Sequence, residues 1–172
     1  MRKHLLEGMI RKPLTEPAPA IDDAAATELA QAVERAARRR LGRSLSIRAV
    51  DAGSCNGCEL EIHALNNAFY DLDRFGLRFV ASPRHADVLL VTGPLTHNMR
   101  DALERTYRAT PNPKWVVAVG DCAIDGGLFG GSLACIAGGV GAAVPVDLRI
   151  RGCPPRPAEL LKGLLALLEA QV

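Results

Sequence analysis

Three short runs of aliphatic and β-branched residues, 46–50, 87–92 and 115–119, each give way to a glycine-bearing turn: Asp51-Ala52-Gly53, Gly93-Pro94 and Gly120-Asp121. All three read as strands, and the last two as strands buried on both faces. Between them lie segments with apolar residues at helical spacing. Asp22 and Asp23 open one such segment, Arg38-Arg39-Arg40 close it, and Gly42 stops it. A second carries Ile62, Leu65, Phe69 and Leu72 on one face and is expected to end at Gly76; a third starts at Thr96 as its cap and reaches about residue 108. Pro157 and Glu159 begin a Leu-rich terminal helix, and further strands are expected at 77–80 and 144–149. Strands alternating with helices predict an α/β domain built on a mainly parallel sheet.

Cysteines fall at the ends of these strands. Cys55 and Cys58 stand three positions apart where the first strand yields to a helix. Cys122 follows the run 115–119, and Cys153 lies in Arg151-Gly152-Cys153-Pro154-Pro155 after the last strand. Open α/β sheets bind ligands beyond the carboxyl ends of their strands, so loops far apart in sequence can meet at one edge. The four thiols are therefore expected to converge on one metal centre.

Three chemistries remain open on spacing: a 4Fe–4S cluster, a structural zinc and a redox dithiol. One CxxC pair with two single cysteines, each in a Gly- or Pro-rich turn, favours a cluster. Its bulk needs loops whose backbone approaches closely and donates N–H groups to sulfur. Zinc more often takes two close pairs, and a CxxC dithiol needs neither extra cysteine. Cys135, among small and apolar residues, reads as an inert core thiol.

Composition narrows the class. With Lys+Arg 21 against Asp+Glu 19 and 4% aromatic residues, the chain lacks the charge and the rings of a nucleic-acid binder. Five cysteines in 172 residues is an odd number in a chain large enough to hold a core without disulfides. Residues 126–146 carry no charge over a bilayer-spanning length, yet seven of the 21 are glycine, and they read as a loop.

Residues 1–21 are expected to form a basic segment, with Leu5, Leu6, Met9 and Ile10 at helical spacing, and a Pro-rich linker over 13–19; a helix over 22–44 and an α/β domain over 45–172 follow. The segment has no signal-peptide pattern, which predicts a cytoplasmic location.

As an ordered set, Cys55-x-x-Cys58-x-x-Glu61, Thr92-Gly93-Pro94-Leu95-Thr96, Gly120-Asp121-Cys122-x-x-x-Gly126-Gly127 and Gly152-Cys153-Pro154-Pro155 resemble the small subunit of energy-converting nickel–iron hydrogenases of the formate hydrogenlyase type. The same superfamily holds the 20 kDa cluster-bearing subunit of respiratory complex I. The likeness covers about residues 45–170. It implies a flavodoxin-like fold with helices on both sheet faces. It also implies one 4Fe–4S cluster ligated by Cys55, Cys58, Cys122 and Cys153 at the interface with a large subunit that holds nickel and iron. A ferredoxin-like multi-cluster subunit and membrane subunits are the other implied partners, the latter meeting the N-terminal segment on the inner face of the cell membrane. Glu61 stands at the position of an acid that could relay protons. The chain would thus be an electron-transfer part of an oxidoreductase, with no bond chemistry of its own. Complex I counterparts carry adjacent cysteines, so the gap between Cys55 and Cys58 resembles the hydrogenase branch; a complex I-like quinone reductase is the alternative.

Overall fold

Apolar runs become central strands where both of their faces can be buried. The computed structural model describes residues 23–132 and 135–170. Within them β1 (Leu45–Asp51), β2 (Leu77–Phe79), β3 (Val88–Thr92), β4 (Trp115–Val119) and β5 (Leu148–Ile150) form one all-parallel sheet in the order β2-β1-β3-β4-β5. This is the flavodoxin-like winding, whose ligands sit where the direction of winding reverses between β1 and β3. Asp51 pairs with Thr92, and Thr92 with Val119, so the carboxyl ends of β1, β3 and β4 share one edge.

Helices cover both faces. Strand residues alternate between two cores, as the period of two requires. Leu45, Ile47, Val88, Leu90, Val117 and Val119 pack with α1 (Asp23–Leu41), α2 (Gly57–Ala64) and α5 (Pro157–Glu169). Leu89, Val91, Val116 and Ala118 face the other way, towards α3 (His97–Ala109) and α4 (Asp121–Asp125). From α5 alone Leu160, Leu161, Leu164, Leu167 and Leu168 are buried, each worth about 1.5–3 kcal/mol.

One arginine of the predicted basic run locks α1 to α5. Arg40 Nη1 donates to the carbonyls of Leu167 (3.0 Å), Leu168 (3.1 Å) and Ala170 (2.7 Å), and its guanidinium lies 4.9 Å from the Trp115 ring centre. These carbonyls close a helix and have no partner within it.

Two element boundaries differ from the sequence expectation. The helix after the CxxC stops at Ala64, not Gly76, because Asn67 Oδ1 accepts from the backbone N–H groups of Phe69 (2.9 Å) and Tyr70 (3.0 Å) and folds a turn there. Phe69 leaves the core as a result and is 41% exposed. The last strand starts at Leu148, not 144: Pro145 has no N–H for a ladder, and Asp147 pairs with Val116 through both its backbone N–H (2.9 Å) and its carboxylate (2.7 Å). The described part of 126–146 forms short 3-10 turns, Gly127–Phe129 and Val140–Ala142. No helix of the described residues is long and apolar enough to cross a membrane. The basic segment 1–12 and the linker 13–19 lie outside the described residues.

Candidate metal centre

Where β1 ends, Asp51 Oδ1 accepts from the N–H groups of Gly53 (2.7 Å) and Ser54 (2.7 Å), and this turn delivers Cys55. Asn56 adopts a left-handed conformation (φ 71°) and starts α2, whose first turn holds Cys58. Cys122 stands in the first turn of α4 and Cys153 in the loop after β5. All four thiol residues line one cavity of about 100 Å³, together with backbone at Gly57, Gly93 and Gly152. The fifth cysteine, Cys135, is exposed and is not among the residues lining that cavity.

Two close approaches hold the loops together. Gly93 is at φ +73°, and a Cβ there would meet Ser54 N at 2.5 Å; Gly120 is at φ +87°, and a Cβ there would meet Cys58 Sγ at 2.6 Å. Both sites require a residue without a side chain. Asp121 then ties the Cys122 turn to the Cys153 turn. Its N–H donates to Gly152 O (3.0 Å), and its Oδ1 accepts from Gly152 N–H (3.2 Å) with Arg151 3.9 Å away. This cross-loop bond goes beyond the local capping expected of a turn aspartate. Asp125 does cap locally, accepting from Gly127 N–H at 2.9 Å.

Electrostatics at the cavity fit a cationic occupant. Burial pushes the Cys58 thiol up to about 12, and the Glu59 carboxylate and the other three cysteines push in the same direction. Cys122 is also raised, by burial and then by Cys153 and Cys55, while the Leu128 backbone N–H donates to it and opposes the rise. Four thiolates around one cavity repel each other, and a cationic core between them offsets that repulsion. Among the described residues no group of three or more His, Cys, Asp or Glu side chains is arranged to hold a metal ion. Four thiols around one cavity are the donor set of a 4Fe–4S cluster, which would take one thiolate on each iron.

Two acids lie on α2. Glu61 is half-buried and makes no hydrogen bond or ion pair with a described residue. Glu59 is drawn against the end of β3. Its Oε1 accepts from Thr92 Oγ1, and its Oε2 is buried without a partner among the described residues. The signal for this was adjacency to Cys58, but the pairing with Thr92 depends on sheet register. His63 is exposed. Large apolar side chains also surround this end of the molecule: Leu128 is 89% exposed and lines a second hollow with Cys122 and Cys153, while Phe129 and Leu60 are exposed too.

Residues 55–167 match the family described as NADH ubiquinone oxidoreductase, 20 Kd subunit. Formate hydrogenlyase subunit 7 of Escherichia coli (strain K12) is 44% identical over 137 residues, 78% of this chain and 53% of that protein. The probable membrane-bound hydrogenase subunit mbhJ of Pyrococcus furiosus is 45% identical over 129 residues, 75% of this chain and 77% of that one. Among solved structures, a chain of the membrane-bound sulfane sulfur reductase, an archaeal respiratory membrane complex, superposes with a TM-score of 0.65 at 33% identity, over 87% of this chain and 75% of that one. The chain spans about half the length of formate hydrogenlyase subunit 7.

Proposed function

The chain belongs to the family of the 20 Kd subunit of NADH ubiquinone oxidoreductase, a family of electron-transfer subunits of hydrogenases and complex I, and from that membership we propose that it relays electrons through one 4Fe–4S cluster to or from a nickel–iron site in a partner large subunit. The observation that carries this reading is the convergence of Cys55, Cys58, Cys122 and Cys153 from three loops on one cavity. When bound, such a cluster supplies a reversible one-electron couple.

The chain's own residues hold and tune that couple. The four cysteines would ligate it, and the Leu128 N–H, directed at Cys122, would stabilise the anionic sulfur. Exposed Leu128, Phe129 and Leu60 offer an apolar rim that a large subunit would cover, excluding water from the electron path. Glu61 remains the proton-relay candidate on the side of α2. The name of one relative includes the words membrane-bound, and the matched solved complex is a membrane complex. These names support a peripheral membrane-associated place for this chain, which our reading puts on the inner face of the membrane with a ferredoxin-like subunit and membrane subunits as neighbours.

Metal and sulfide analysis tests the cluster. The assembled protein is expected to carry about four irons and four acid-labile sulfides per chain, with a low-spin EPR signal on reduction. Cys122→Ser and Cys153→Ser are each expected to lose it and Cys135→Ser to keep it. One zinc and no sulfide would replace this reading with a structural zinc module. Activity surviving both the Cys122 and Cys153 changes would indicate a CxxC dithiol. A second reading, a complex I-like quinone reductase, is favoured by the family's own description. Nickel analysis with hydrogen-dependent dye reduction separates the two, since a complex without nickel that reduces quinone belongs to the second.

A further inference from the structure

At the opposite end of the sheet, the amino ends of the strands enclose a cavity of about 310 Å³ lined by Arg43, Ser46, Arg78, Arg84, His85 and Asp87, among others. Strands of five to seven residues separate it from the thiol cavity by roughly 17–23 Å. Three guanidinium groups here face one carboxylate, and that carboxylate is already occupied. Asp87, 3% exposed, accepts from Arg43 through both oxygens (2.6 and 2.9 Å) and from Ser46 N–H (2.9 Å). Arg78 spends only a long Nε contact on Ser46 Oγ (3.4 Å). The side chains of Arg84 and His85 have no partner among the described residues. Two positions along β1 from Ser46, and on the same face, Arg48 keeps its Nε buried without an acceptor. Positive charge thus exceeds local need around a hollow that the rest of the fold leaves open.

We propose that this cavity binds a phosphate monoester, with Arg78 and Arg84 gripping the phosphate and the volume beyond them taking the group that carries it. Arginine forks present paired N–H donors matched to tetrahedral oxyanions, and the volume falls within the range of small-ligand sites. A soluble ester and a lipid headgroup present the same chemistry. The site lies a strand length from the four cysteines and does not depend on the cluster reading.

Thermal unfolding of the full chain, with ionic strength fixed by chloride, tests the site using inorganic phosphate and glycerol 3-phosphate as probes. Cosedimentation with phosphatidylcholine vesicles, with and without phosphatidic acid, tests the lipid source. Stabilisation by the soluble ester of roughly 2–4 °C at a few times its Kd, weakened at least about tenfold in affinity by Arg78→Gln with Arg84→Gln, would support a soluble ligand. Arginine-dependent binding only to phosphatidic acid vesicles would support a headgroup. Arg84→Gln alone, at an exposed position, serves if the double variant fails to fold. No response to any probe, or a response unchanged in the variants, overturns the proposal.

Discussion

A methyl group at position 120 would sit 2.6 Å from the Cys58 sulfur, on a backbone already at φ +87°. Neither strain has an easy release, because Gly120 N–H is held by Ile150 O at 2.8 Å and Asp121 N–H by Gly152 O at 3.0 Å. Gly120→Ala should therefore displace Cys58 while leaving the sheet intact. Iron per chain is expected to fall from about four to below about one, with the far-ultraviolet circular dichroism of the parent retained; full iron content in this variant would contradict the convergence of the four thiols. Asp121 offers a milder test. Asp121→Asn keeps the shape and an oxygen that accepts from Gly152 N–H, but removes the negative charge that strengthens that bond and faces Arg151. Its effect should appear as faster iron loss to a chelator, by a few-fold, with the initial iron content unchanged.

Among the elements, the pairing of α1 with α5 has the clearest single support. Arg40 answers three carbonyls at the end of α5 and stacks over Trp115. Charge-assisted bonds to a helix carboxyl end, half-buried, contribute about 2 kcal/mol. Arg40→Ala is expected to lower the melting temperature by roughly 4–8 °C, and Arg40→Lys to recover part of it; iron per folded chain should not move, which separates this role from one at the metal centre. The sequence made α1 legible as a helix through its acidic start, basic end and Gly42, but carried no sign that the third arginine reaches 127 residues along the chain. The same contrast runs through the other elements. β3 and β4 were readable because uninterrupted apolar runs have few other places to go. The end of α2 was not, because one side chain, Asn67, turns the backbone there, and the start of β5 was not, because Asp147 pairs with Val116 across the sheet. The cysteine cluster was readable from strand ends alone. The pairing of Glu59 with Thr92 was not legible, because it is fixed only by the register of β3 beside β1.

Across the whole molecule the two ends of the sheet differ in chemistry. The amino ends carry arginines, and the carboxyl ends carry thiols with exposed Leu128 beside two of them. A relay needs that second end covered, since electrons pass to a partner only across a short, dry gap. Among the described residues Leu128 is the most exposed large apolar side chain; it lines a hollow with Cys122 and Cys153, and its backbone N–H opposes the rise of the Cys122 thiol. Its side chain can be changed without touching that N–H. Leu128→Asp should therefore leave any iron and EPR signal of the isolated chain as in the parent, while weakening association with the proposed large subunit by about tenfold to thirtyfold, as loss of an interface anchor of about 1.4–2 kcal/mol implies. Copurification of the two subunits at graded dilution measures this. Undiminished association would mean that the apolar rim faces solvent in the complex, and that electrons leave the chain by another side.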